Sequence, residues 1–397
     1  MKITFPHRLF KPALVAALVL TASTIGYLLF TSMKESAELA GKLANLENDL
    51  GTMSEEKKTL ETELQTVTSE DQFVKNKELE KEIQEITKTY AESVLLYKEL
   101  IELRASGSKV GSLETLLADS ISQLAKRNYS SGSATLLTLK SEISKTQMTL
   151  AQTFVIPESV PVDNAPPAGG YKRQTVETDI GRYLVDIISA DLGSTRVVVD
   201  TASSGDCKTD CPVDSLGAYA ARSGAFAGIN GPYFCPAEYP SCAEKKNSFD
   251  TLLMNKNKVY FNSENNVYSV VPAVIFSGGG ARFVGKSLEW GRDTGVDSVI
   301  ASQPMLLSGG NITFGGDGDP KKGSKGKRSF IGTNGNTVYI GVVHNATVAE
   351  VSHVLKALGL QHALNLDSGG STALWHQGKY LAGPGRNTPF GILFVRK

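Results

Sequence analysis

The run KGKRSFIGTNGNTVYIGVV, residues 325–343, is a pair of strands folded back on one turn. Phe330, Ile331 and Thr333 precede the turn, and Val338, Tyr339, Ile340 and Val342 follow it. These are the β-branched and aromatic types that suit a pleated surface. Asn334-Gly335 between them accepts the left-handed backbone of a tight hairpin turn. Outward along the chain, residues 347–358 carry the apolar spacing of a helix, with Lys356 in its last turn and Gly359 beyond it. Further short β-rich runs lie at 183–188, 196–200, 267–276 and 390–395. Many short strands with few helices predict an α+β fold: a C-terminal mixed-sheet domain over residues 171–397, large enough for its own core.

After the helix comes NLDSGGSTALW, residues 365–375. Ala363, Leu364 and Leu366 read as a buried strand that delivers one carboxylate, Asp367, to its end. Ser368, Gly369, Gly370 and Ser371 follow as a turn whose glycines let a ligand approach the backbone. A carboxylate facing exposed N–H groups and hydroxyls can hold a polar or anionic substrate. Two more segments carry chemistry. AGINGPYFCP, residues 227–236, brings Asn230-Gly231 to two aromatics, Tyr233 and Phe234, which can stack on a sugar face. GPGRNTPFGILFV, residues 383–395, sets Arg386 in a Gly/Pro loop before the last strand, and Arg328 stands at the start of the hairpin.

The remainder of the chain is of a different kind. Lys2, Arg8 and Lys11 precede an uncharged apolar run, residues 12–30, which predicts an uncleaved signal-anchor within residues 1–33. A cleavable signal peptide is the competing reading. Positive-inside bias then places everything after Lys34 outside the cytoplasm. From Leu39 through Leu43, Leu46, Leu50, Met53, Leu60, Leu64 and Val67 the apolar positions step by three and four, a heptad seam. A second phase runs through Leu79, Ile83, Ile86, Tyr90, Val94, Tyr97 and Ile101, so a coiled coil is expected over 34–104, with oligomerisation through it. Residues 105–156 read as a helical hairpin, with Ser112 capping its first helix, and 157–170 as a Pro/Gly linker.

Charge and cysteine usage narrow the setting. The chain balances 41 basic against 41 acidic residues, and no basic patch is interleaved with aromatics, which excludes nucleic acid as a partner. Residues 34–104 hold 10 Lys/Arg against 17 Asp/Glu, a net of −7, and residues 171–397 hold 23 against 19, a net of +4. Cys207, Cys211, Cys235 and Cys242 lie within 36 residues without a histidine among them, which favours two disulfides in an oxidising compartment over zinc. Three pairings are open. No metal or other cofactor is expected: His344, His353, His362 and His376 lack ligand spacing, and GGDGDP at 315–320 lacks the pattern of a calcium loop.

Taken in order, these elements resemble the phosphodiester glycosidase family, the domain of the uncovering enzyme. That enzyme removes N-acetylglucosamine from a sugar-phosphate diester. The resemblance covers most of 171–397: Asn230-Gly231-x-Tyr233-Phe234, residues 302–307, Arg328 with Ile331-Gly332, the helix ending at Gly359, Asn365-Leu366-Asp367 with its Gly-Gly-Ser turn, and the Arg386 loop. It implies hydrolysis between an anomeric carbon and a phosphate oxygen. Arg328 and Arg386 are then the phosphate clamps, helped by Ser368, Ser371 and the N–H groups of Gly369 and Gly370. Asp367 is the carboxylate at the anomeric centre, Asn230 and Gly231 contact the sugar, and Tyr233 flanks it. Only one carboxylate stands out where glycosidases usually use two. The family commonly has Gly at Ser368 and Asp-Gly at His344-Asn345, and residues 34–156 have no counterpart in it. The expected protein is thus a single-pass membrane glycosidase with its catalytic domain outside the cytoplasm, acting on an envelope or exopolysaccharide glycan. The alternative is a non-catalytic coiled-coil scaffold with a glycan-binding C-terminal domain.

Overall fold

The computed structural model describes residues 10–69, 71–262 and 270–397. Lys2 and Arg8 of the basic tip, and residues 267–269 of one expected strand, lie outside the described residues. Two compact units are present, Met1–Glu85 and Ile86–Lys397. Four helices come first: α1 (Phe10–Ser69), α2 (Asp71–Ala105), α3 (Gly111–Ala125) and α4 (Tyr129–Thr153).

Within the first unit, α1 contains a stretch apolar enough to cross a membrane by length and composition. Its heptad positions Leu39, Leu43, Leu46, Leu50, Met53, Leu60, Leu64 and Val67 are all exposed. The phase shift between Val74 and Leu79 falls inside a continuous helix, α2.

In the second unit, the end of α2 does not continue the expected seam. Leu96, Leu100 and Leu103 are buried, while Tyr97 is 39% exposed. The buried face joins Val110, Leu113 and Leu117 of the next helical segment and Leu136, Leu139 and Ile143 of α4 in one apolar cluster. The predicted hairpin therefore closes into a three-helix bundle, because an apolar stripe on α2 completes the core that two short helices lack. Val110, rather than Ser112, stands at the N-cap of α3 and makes no side-chain cap. The linker is also more ordered than its prolines imply. Asp163 N–H donates to Thr175 O at 2.9 Å and Thr175 N–H to Pro161 O at 2.8 Å, so residues 161–163 run beside the first strand.

Among the described residues the α+β domain holds three sheets. The first, in spatial order, is Gly170–Thr178, Gly181–Asp191, Thr337–Ala346, Gly326–Asn334, His362–Asn365, Met305–Ser308 and Asn311–Ile312. The second is Lys379–Ala382, Leu374–His376, Ala227–Asn230, Phe390–Arg396 and Thr195–Thr201. A third of five short strands includes Ala273–Ser277 and Ser298–Ala301. Every pairing described within them is antiparallel. The hairpin closes at the expected place but one residue later than read: Asn334 pairs with Thr337, so the two-residue loop is Gly335-Asn336, with Gly335 at φ 53°.

Side-chain alternation explains the layering. Ile392 and Phe394 enter the central core shared by all three sheets, and Leu393 and Val395 face the helix Leu216–Ser223. In the first sheet Ile188 and Ile340 enter the same core, while Val185 and Ile187 face the helix Val348–Ala357. Thr347 and Glu350 form a reciprocal capping box at that helix, so Glu350 is a helix-terminal charge. The cysteines pair locally, Cys207 with Cys211 and Cys235 with Cys242, at Cα separations of 5.7 and 5.5 Å.

Candidate active site

The strand His362–Asn365 ends beside the start of Gly326–Asn334, with Phe330 opposite Asn365. Leu366 is fully buried, and Asp367 follows where the sheet stops. Asn230, 1% exposed, ties this end together. Its Nδ2 donates to Asp367 O at 2.6 Å, and its Oδ1 accepts from Ser329 Oγ at 2.8 Å and Ala373 N–H at 3.1 Å. All of its polar capacity is spent on two strands and the turn. The amide of Asn230, expected to meet a sugar, is engaged here by the protein itself. Gly231 belongs to the same scaffold: its carbonyl accepts Asp367 N–H at 3.2 Å, and a Cβ there would overlap the Phe390 ring.

Asp367 keeps a partly open edge, although heavy atoms surround it closely. Burial pushes its carboxyl up to about 6, opposed by hydrogen bonds from the Ser371 side chain and Ser368 N–H, and Glu102 raises it further against the pull of Arg386. Ser368 N–H meets Asp367 Oδ1 at 2.9 Å. The Ser368 hydroxyl is committed to the backbone, accepting Ser329 N–H at 3.2 Å and donating to Leu366 O at 3.2 Å. Asn365 Nδ2 donates to Tyr233 Oη at 2.6 Å, which fixes the phenol and leaves its proton free to point elsewhere. Burial and the nearby Asp367 keep that phenol protonated.

The two arginines differ. Arg328 is 9% exposed, and its Nε and Nη2 are held by carbonyls: Ala346 O at 3.1 Å, Lys321 O at 2.7 Å and Ser324 O. The field of Asp367 and Glu102 still reaches its guanidinium. Arg386 is tied to the Gly-Gly turn through its own N–H, which donates to Gly370 O at 2.8 Å. Its Nη2 lies 2.7 Å from Glu102 Oε1, and its Nη1 lies 3.8 Å from Glu238 Oε2. Nη1 is buried without a hydrogen-bond partner.

Sequence reading passes over two residues here. Glu102, from the end of α2, accepts Gly370 N–H at 2.9 Å and Arg386 Nη2 at 2.7 Å and is bonded by the Tyr239 hydroxyl. Tyr239 sits in the Cys235–Cys242 loop with its ring 5.3 Å from the Arg386 guanidinium carbon and 5.1 Å from Lys321 Nζ. Glu102 lies in a segment whose sequence reads as coiled coil. Its one signal is the apolar stripe Leu96-Leu100-Leu103, a second apolar face beside the expected seam, which packs on α3 and α4.

His344-Asn345, in place of the expected Asp-Gly, serves packing. His344 Nε2 lies 2.7 Å from the buried Asp186 Oδ2, and Asn345 Nδ2 donates to Ala151 O at 2.9 Å. In the 315–320 loop, Asp317 pairs with Lys322 and Asp319 caps a short helix. Among the described residues no three His, Cys, Asp or Glu side chains gather as metal ligands do.

Residues 223–395 match the model of the phosphodiester glycosidase family, and the resemblance read in the sequence is borne out over that segment. No curated protein matches the chain by sequence. Among solved structures, a hypothetical protein from Synechocystis is similar at 12% identity, with 57% of this chain and 62% of that one covered and a TM-score of 0.42. The chain thus spans less than two thirds of that protein's length. The catalytic domain of zebrafish N-acetylglucosamine-1-phosphodiester alpha-N-acetylglucosaminidase, auto-inhibited by pro-peptide, is similar at 15% identity, with 60% and 87% covered and a TM-score of 0.47.

Proposed function

We propose that the chain is a membrane-anchored, extracytoplasmic glycosidase that hydrolyses a sugar-1-phosphodiester of an envelope or exopolysaccharide glycan. The observation that carries this reading is Asp367 at a strand end beside Arg386, whose buried Nη1 has no hydrogen-bond partner and only a 3.8 Å ion pair with Glu238. In the proposed reaction the bond between the anomeric carbon and the phosphate oxygen breaks. Water gives its hydroxyl to the carbon, and its proton is lost to solvent or to the phosphate monoester. The leaving phosphate is stable as an anion, so cation and N–H donors serve it better than a strong acid. Arg386, with Arg328 Nη1 and the Gly369 and Gly370 N–H groups, neutralises it. Asp367, oriented by Ser371 and Ser368, faces the oxocarbenium-like carbon as nucleophile, base or charge stabiliser. Tyr233 places its hydroxyl against the sugar.

The setting follows from the other features. Two disulfides suit an oxidising compartment, and the apolar stretch of α1 serves as the anchor. The exposed seam of α1 pairs with a second copy of the chain as a coiled coil.

The test is incubation of the full chain with a sugar-1-phosphodiester, reading free reducing sugar. Release is expected from the wild type, and Asp367→Asn is expected to lower it by about 1,000-fold, the scale of a positioned acid-base group. Wild-type turnover in a folded Asp367→Asn protein overturns the assignment. Binding of the phosphodiester without release by the wild type replaces the enzyme with a glycan-binding scaffold.

A further inference from the structure

Glu102 sits where an anion belongs. Its oxygens gather a guanidinium N–H from Arg386 at 2.7 Å, the Gly370 backbone N–H at 2.9 Å and the Tyr239 hydroxyl. A cation, an amide N–H and a phenol converging on two oxygens form the donor set that phosphate oxygens seek. Gly369 lies under the same carboxylate, since a Cβ there would overlap Glu102 Oε2. The cradle also offers more than a carboxylate takes: Arg386 Nη1 is buried beside it with no hydrogen-bond partner. A phosphate has a further oxygen to give that donor.

Glu102 is poorly suited to serve as the second catalytic carboxylate. Its two oxygens are already engaged by three donors, and its carboxylate competes with an incoming phosphate for the same groups. The segment that carries it packs its apolar face on other helices. Leu96, Leu100 and Leu103 pack with α3 and α4 in an apolar cluster that contains no residue of the β-domain. Contacts to the β-domain include polar and ring contacts, such as Asn345 Nδ2 to Ala151 O at 2.9 Å and Phe154 stacked on His344 at 6.3 Å.

We propose that Arg386, the Gly370 N–H and Tyr239 form the phosphate subsite and that Glu102 occupies it as a built-in phosphate surrogate. The end of α2 keeps the site closed until the helical bundle shifts. Tyr239 thereby becomes a substrate-binding residue, and the membrane-proximal helices become the regulators of the hydrolase. This inference rests on the sugar-phosphodiester reading above.

Calorimetric titration of the full chain with inorganic phosphate tests it, together with turnover of a sugar-1-phosphodiester. Glu102→Gln and Glu102→Ala are expected to bind phosphate at least tenfold more tightly than wild type. KM should fall and kcat should not decrease. Adding Tyr239→Phe to Glu102→Gln is expected to return part of that gain. Leu100→Ala, which loosens the bundle without touching the cradle, is expected to move phosphate affinity in the same direction, and thermal unfolding verifies that each variant is folded. Unchanged phosphate affinity in both folded Glu102 variants overturns the proposal. A large fall in kcat for Glu102→Gln also overturns it and makes Glu102 a catalytic residue. Tighter phosphate binding with no turnover in any protein upholds the surrogate and sinks the glycosidase reading instead.

Discussion

The Asp367 carboxyl is raised by its surroundings to about 6, chiefly because burial disfavours its charge. If the ionised form acts, kcat/KM rises with pH through about 6 with the slope of one proton and levels off above it. A pH–rate profile flat from 5 to 8 removes Asp367 from that role. The same shift has a sign in stability. Between its ordinary value of 3.8 and about 6 the native protein holds a proton that the unfolded chain has released. The contribution of this group to stability therefore falls as pH rises through that window, by up to about 3 kcal/mol. Urea unfolding of Asp367→Asn should show a shallower decline between pH 4 and 7 than wild type. Around this carboxylate, the residues named from sequence divide by hydrogen-bonding capacity. Asn230 and the Ser368 hydroxyl are spent on the scaffold, whereas Arg386 Nη1 retains an unused donor.

Among the elements, α2 departs furthest from its sequence reading. Heptad spacing predicts a seam through Val94, Tyr97 and Ile101, yet Leu96, Leu100 and Leu103 are the buried positions. Both stripes are apolar, and only the presence of α3 and α4 decides which one is covered. Leu139 is wholly buried in that cluster. Leu139→Ala is expected to cost the bundle about 3 kcal/mol and to speed hydrogen exchange in residues 96–105 relative to the β-domain. Equal exchange in variant and wild type counts against the bundle as a cooperative unit. Several strands, by contrast, were legible one by one, although the run expected at 267–276 forms a strand only over Ala273–Ser277 among the described residues. The β-branched and aromatic runs at 390–395 and 196–200 are local signals, and each strand formed where its composition predicts, as did the hairpin marked by the Asn-Gly pair. The Val338–Val343 run likewise reads directly as a strand with both faces buried.

At the scale of the molecule, the long apolar seam of α1 is exposed along its length. Leu46 and Leu60 are 63% and 64% exposed. Replacing both with Glu is expected to shift the sedimenting species of the detergent-solubilised chain toward monomer. No change in mass leaves the seam without its proposed partner. The sequence by itself determined the α+β class, the Asp367 turn and the family resemblance. Each of these is written in contiguous residues, as a period, a turn or a motif. Tertiary structure alone decided the two disulfide pairings, the fate of Asn230 and the arrival of Glu102 and Tyr239 at the arginine. Glu102 and Gly370 lie 268 residues apart. No local pattern encodes which helix face is buried or which donors converge on a carboxylate from so far along the chain, because packing settles both only when the separate elements meet.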